Sequence, residues 1–458
     1  ILDLSKIEAG MVEFTITPEL DNFKYNLQGA NVGPNGQGAR GVILPLDDKA
    51  TEGIREAIWR ETLKRYEFAR AMYDQAKTRA TVSVEDEDKA PCFSGAPAEH
   101  YYEAPLAAGR QKMDIKRDWE HRLDEVSAVF KTCPELSEGS ASFSFQVLRT
   151  YLVNSEGSVV VQNRVATRVM LMASLKAADG MELPLNMDYF AYTPDELPDN
   201  DQMIADAQDM IKRLLALRDA PVADPYTGPA ILSGPASGVF FHEIFGHRLE
   251  GHRLKSGGQT FKKMVGEQVL PAEFQVYCAP LLKNYANTDL YGHYVYDDEG
   301  VKGRRVDNVV NGVLKEFLMS RVPLDGFPTS NGYGRTSGGG DPVSRQSNLI
   351  VETTQPYTDD ELRAMLVEEA KKQGKEYGYF FRTVTSGFTY TGEGGSLNSF
   401  NVTPLEVYRV FADGRPDQLV RGVDLIGTPL SMFSNIAAAG SQPSVFTGVC
   451  GAVIFSPA

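Results

Sequence analysis

Cysteine, histidine and tryptophan are scarce in this chain, at 4, 6 and 2 among 458 residues. The four cysteines, Cys92, Cys133, Cys278 and Cys450, are far apart and form no C-x-x-C pair. That argues against a cysteine-rich structural zinc site and leaves free, buried thiols as the default. No stretch of about 18 apolar residues occurs, so no transmembrane helix is expected. Positive charge is in deficit: 46 Lys and Arg stand against 61 Asp and Glu, a net charge of −15. A surface of that sign does not attract nucleic acid or anionic membranes. The rest of the composition, 42% hydrophobic and 23% charged, is ordinary for a globular protein of two or three domains. The chain begins at Ile1 rather than Met. The native N-terminus is therefore expected upstream, with room for a removed signal peptide.

Against that scarcity, three of the histidines cluster. His242-Glu243-Ile244-Phe245-Gly246-His247 supplies two imidazoles and a carboxylate in six residues, and His252 follows shortly after. Neutral imidazoles are zinc ligands, and a carboxylate beside them can serve as the base toward an attacking water. The spacing departs from H-E-x-x-H. Histidines four apart lie about 40° apart around a helix, whereas histidines five apart lie about 140° apart. Both can reach one metal only if the helix unwinds locally or carries a π-bulge. Gly246 is the residue best able to permit that. The competing reading is a buried amphipathic turn, Phe240-Phe241 to Phe245, with hydrogen-bonded histidines. Cys450 lies between Gly448 and Gly451, a setting that allows close approach to another group, so its thiolate is a further candidate ligand.

Periodicity divides the chain into blocks. Helical spacing covers about Thr51 to Thr78, Lys116 to Lys131, Asn200 to Arg218 and Asp359 to Gln373. Alternating runs at Ser142–Val153 and Ser158–Leu175, joined by Asn154-Ser155-Glu156-Gly157, predict a hairpin. Pro221–Pro229 reads as a linker. A strand at Ala230–Leu232 and a helix from Gly238 to about Glu250 follow, and then mostly strands and loops, including Phe388–Thr391 and Val402–Phe411. Helices and strands occupy separate blocks, so the expected fold class is α+β. The expected division is an N-terminal α+β domain over 1–222, with a further break open at about 112, and a mainly antiparallel β domain over 223–458 carrying the metal-site helix.

The chain resembles the TldD/PmbA family of zinc metallopeptidases. The resemblance runs from about residue 52 to Cys450. It is carried by H-E-x-x-x-H with Leu249-Glu250-Gly251, by Asp297-Asp298-Glu299-Gly300, by Asn311 to Lys315, by Arg345 to Asn348 and by Gly448-Val449-Cys450-Gly451. It implies a zinc ion held by His242, His247 and Cys450, with Glu243 as general base. It also implies two-subunit particles, so a homodimer or a heterodimer with a PmbA-like subunit is expected, in the cytoplasm. The enclosed site of such a particle implies unfolded or short peptides as substrate. The chain departs from the family at His252, a position usually acidic, which argues against His252 as a ligand.

Around that centre, other residues have weaker claims. Glu250 can supply an oxygen ligand or orient a histidine ring. An extended peptide can pair with a strand, and Phe388, Thr389 and Tyr390 are the candidates for it. Arg345 and Asn348 either contact substrate or shape their loop. His293, among Tyr291, Tyr294 and Tyr296, either packs or lines a channel. Three functions compete: a zinc peptidase, a non-catalytic metal-binding subunit that holds peptides for a partner, and a zinc amidase or esterase. An intact Glu243 argues against the second, because structural zinc needs no base.

Overall fold

The computed structural model describes residues 3–5, 51–80, 88, 90, 91, 93–106, 112–255, 260–336, 342–389, 400–450 and 456–457. Helices and antiparallel sheets segregate, as α+β requires. Among the described strands the parallel pairs are short: His100–Tyr102 with 159–161, Ala230–Leu232 with 379–381, and Pro356–Tyr357 with 439–440.

The first half is built on a long hairpin, Leu136–Asn154 and Val159–Lys176, extended by Glu182–Ala191. Val169, Leu171, Ala173 and Leu175 alternate onto one buried face. The helices Lys112–Ala128 and Asn200–Asp219 contribute to that same core. The second helix buries Met203, Ala207, Met210, Ile211, Leu214 and Leu217, a stripe of three- and four-residue steps. Asp199 caps it by accepting from the Gln202 amide at 2.9 Å. Trp119 stacks on Phe143 with centroids 4.2 Å apart. The strand Glu182–Ala191 was not anticipated. Apolar residues alternate along it at Leu183, Leu185, Met187, Tyr189 and Ala191, but Pro184 within the run argues against a strand, and pairing with the long hairpin overrides that.

The second half holds two larger sheets among the described residues, beside several two-stranded ones. Phe274–Cys278 lies between Val306–Val310 and Leu349–Thr353. Tyr377–Thr389 lies between Phe400–Phe411 and Ala230–Leu232, and Gln418–Val420 forms the far edge. A large aromatic and aliphatic core joins these sheets to the motif helix through Phe240, Phe245, Phe261, Phe400 and Phe433. The two halves are clasped by Arg213, whose Nε donates to the buried Glu406 at 2.9 Å.

The expected single helix over Gly238–Glu250 is not what forms. An α-helix runs Gly234–Phe240, a π-helical turn follows at Phe241–Phe245, and a 3₁₀ turn occupies Gly246–Arg248. A second short α-helix, Gly251–Lys255, completes the segment. Ser233 caps the start, accepting from the Ala236 amide at 3.3 Å. The irregular stretch frees carbonyl groups, and the buried Arg248 collects two of them: Nη1 donates to Ile244 O at 2.7 Å and to Glu243 O at 3.3 Å.

Candidate metal centre

The π turn answers the five-residue spacing. It brings the rings of His242 and His247 to a centroid separation of 4.7 Å, with Glu243 between them. His242 Nε2 lies 3.7 Å from one oxygen of Glu243, and His247 Nε2 lies 3.6 Å from the other. One potential ligand atom from each of the three residues falls within 4.8 Å of the others, and all three side chains are buried.

Each imidazole is held from behind at Nδ1, which leaves Nε2 for the centre. His242 Nδ1 lies 3.0 Å from Gln346 Oε1. The same amide, through Nε2, donates to the His242 carbonyl at 3.3 Å. His247 Nδ1 lies 3.0 and 3.1 Å from the two oxygens of Glu250. Glu250 is fully buried and also accepts from Arg253 and, at 3.3 Å, from Arg345. Burial alone would raise its carboxyl pKa, but Arg345, His247 and Arg253 outweigh burial and hold it well below the usual range.

The donor set suits zinc. Two ligand atoms bound tetrahedrally to one zinc lie about 3.4 Å apart, given bonds of about 2.1 Å. The separations from Glu243 to the two Nε2 atoms are close to that. Geometry alone therefore admits Glu243 as a ligand as well as a base.

Two glycines make the packing possible. A Cβ on Gly246 would land on the Gln346 carboxamide, and a Cβ on Gly387 would sit 2.7 Å from Glu243 Cγ. Gly387 belongs to the strand Tyr377–Thr389, so the strand runs directly against the candidate base. Phe388, beside it, is 52% exposed.

The family model described as the PmbA/TldA metallopeptidase C-terminal domain matches residues 225–456. The chain belongs to the TldD/PmbA family. Within it, the chain is 25% identical over 343 residues to a metalloprotease of Methanocaldococcus jannaschii, spanning 73% of this chain and 70% of the relative. It is 24% identical over 352 residues to the zinc metalloprotease TldD homolog of Saccharolobus solfataricus, spanning 74% and 72%. The fold is similar to that of TldE from Thermococcus kodakarensis, with a TM-score of 0.54, 15% identity and coverage of 86% and 83%.

The other family-motif residues take different positions. Arg345 is corrected from a candidate substrate contact: it is fully buried, and donates to Glu250 behind His247 rather than opening onto a wall. Asn348 shapes its loop, donating to the carbonyls of Ala279 and Leu282 at 3.1 and 2.8 Å. His293 packs, with Nδ1 2.9 Å from Pro280 O. Tyr294 and Tyr296 are buried and bonded to Gly332 O and Glu99, so that stretch is packing rather than a channel. Cys450 lies in the short strand Val449–Cys450, paired with Ser456, but its side chain lies outside the described residues, as does Tyr390. Gln346 was the residue that sequence reasoning missed. Its signal was its place inside the Arg345–Asn348 motif.

Proposed function

We propose that this chain is a zinc-dependent peptidase acting on unfolded or short peptides, with His242, His247 and Cys450 as ligands and Glu243 as general base. The observation that carries the reading is a buried carboxylate set between two imidazoles whose Nδ1 atoms are both engaged elsewhere. Zinc, when bound, supplies a Lewis acid that polarises the scissile carbonyl and acidifies the attacking water. Glu243 accepts the water's proton at its carboxylate and returns it to the leaving amine. Glu250 and Gln346 keep both imidazoles in the tautomer with Nε2 unprotonated.

A peptide docks by strand addition. The strand Tyr377–Thr389 pairs with Ala230–Leu232 at Tyr379–Phe381 and continues past Gly387. At Gly387 the strand lies against Glu243. Backbone pairing there holds an extended substrate with little demand on its side chains. The working unit on this reading is a dimer, with a second copy or a PmbA-like chain.

The second reading, a metal-holding subunit without catalysis, draws support from the position of Glu243 within ligand distance. One experiment separates the two. The parent should carry about one zinc per chain, as the three-ligand set requires. His242→Ala and Cys450→Ser should each lose most of it. Glu243→Gln should keep the zinc and lose peptide hydrolysis by about 10²-fold or more. If Glu243→Gln sheds the metal, Glu243 is a ligand; if it cleaves as fast as the parent, it is not the base.

A further inference from the structure

A cleft of about 1880 Å³ opens beside His242. It reaches from the motif helix to the helix Asp359–Lys372, and Phe240, Phe241, Ile350 and Leu366 are among its apolar lining. Its charge is one-sided: seven acidic side chains line it against two basic ones. Both cations are already engaged. Arg363 donates to Asp417 at 2.9 Å, and Lys372 pairs with Glu369 at 3.3 Å. Asp359, Asp360, Glu368 and Asp424 are exposed and have no ion-pair partner among the described residues. Protein surfaces ordinarily mix the two signs, and a walled cleft of one sign focuses the field within it.

The ordinary explanation covers only part of this. Asp359 and Asp360 stand in the first turn of their helix, where carboxylates favour the macrodipole. Glu368 lies in the body of that helix, and Asp424 precedes the strand Leu425–Gly427, so neither has that reason to be acidic.

We propose that this cleft selects cationic peptide segments, unfolded chains rich in lysine or arginine, and delivers them to the centre at His242. The proposal rests on the peptidase reading for the chemistry but not for the binding. Apolar walls take the peptide's aliphatic stems, including those of Lys and Arg, while the rim carboxylates take their charged ends. The overall negative charge of the protein steers such segments in the same direction.

The test uses the full chain as Glu243→Gln, loaded with zinc, and two labelled unstructured peptides. The peptides are identical except for lysine or glutamate at four positions. Fluorescence anisotropy at 50 mM and 500 mM NaCl should show the lysine peptide binding about tenfold tighter or more at low salt. The gap should mostly close at high salt, where the screening length falls to about 4 Å. Glu368→Lys with Asp424→Lys, both at exposed positions away from the first turn of the helix, should shrink the low-salt gap at least about fivefold with an unchanged melting temperature. Equal binding of the two peptides, binding of neither, or a gap unmoved by the double variant overturns the proposal. If the lysine peptide is preferred but the parent hydrolyses no peptide, cleft selectivity stands and the peptidase reading falls.

Discussion

Glu250 grips the Nδ1 of His247 with both carboxylate oxygens, at 3.0 and 3.1 Å, while Arg345 donates to the same carboxylate at 3.3 Å. The imidazole is thereby backed by a full negative charge, whereas His242 is backed by the neutral amide of Gln346. Glu250→Gln keeps the shape and removes the charge. Zinc affinity should fall about 10- to 100-fold, measured by competition with a chelator. Glu250→Ala also removes the buried carboxylate that pairs with Arg345 and Arg253, and should cost about 3–5 kcal/mol in urea unfolding. Unchanged zinc affinity in Glu250→Gln would remove Glu250 from the metal site.

Gly246→Ala tests the other imidazole. The new methyl would collide with the Gln346 carboxamide and drive it from His242 Nδ1. Overpacking at a buried contact should destabilise the protein by about 1–3 kcal/mol. Zinc should dissociate more readily than from the parent, read as release to a colorimetric chelator.

Gly387→Ala acts on the base instead. Its Cβ would press on Glu243 Cγ at 2.7 Å, while both histidines keep their Nδ1 partners. Turnover of a peptide should drop about tenfold or more with zinc per chain unchanged, because a misplaced base loses proton-transfer geometry before binding is affected. Metal loss that tracks the activity loss would instead mark Glu243 as a ligand.

Stability should depend on pH through His252. Burial, reinforced by Arg253, pushes its ring from 6.5 down to about 3, so the folded protein keeps it neutral. The unfolded chain takes up a proton below about 6.5. Its contribution is therefore complete above that pH and is lost progressively as pH falls toward 3. Between pH 7.5 and pH 5 the loss is about 2 kcal/mol. Urea midpoints of the metal-free protein at the two pH values should show it, and His252→Gln should reduce the difference by that amount.

Much of the architecture was legible because it is local. The helix over Asn200–Asp219 announces itself through Met203, Ala207, Met210 and Leu214, and the hairpin through alternation on both sides of Asn154–Gly157. The π turn could be anticipated because two ligands five residues apart do not share a face of a regular helix. The strand Glu182–Ala191 was missed although Leu183, Leu185, Met187, Tyr189 and Ala191 alternate, because Pro184 argues against a strand except at a sheet edge, and only the pairing with the long hairpin shows that edge.

Ligand chemistry and helical phase are written in neighbouring residues, so the chain alone named His242, Glu243 and His247 as a group. It could not say what stands behind them. Gln346 reaches His242 across 104 positions, and Arg345 reaches Glu250 across 95. Contacts of that span depend on how sheets and helices pack. Folding alone assigned an amide to one imidazole and a charged carboxylate to the other, and set Gly387 against Glu243, because each pairing requires close approach between segments that share no local periodicity.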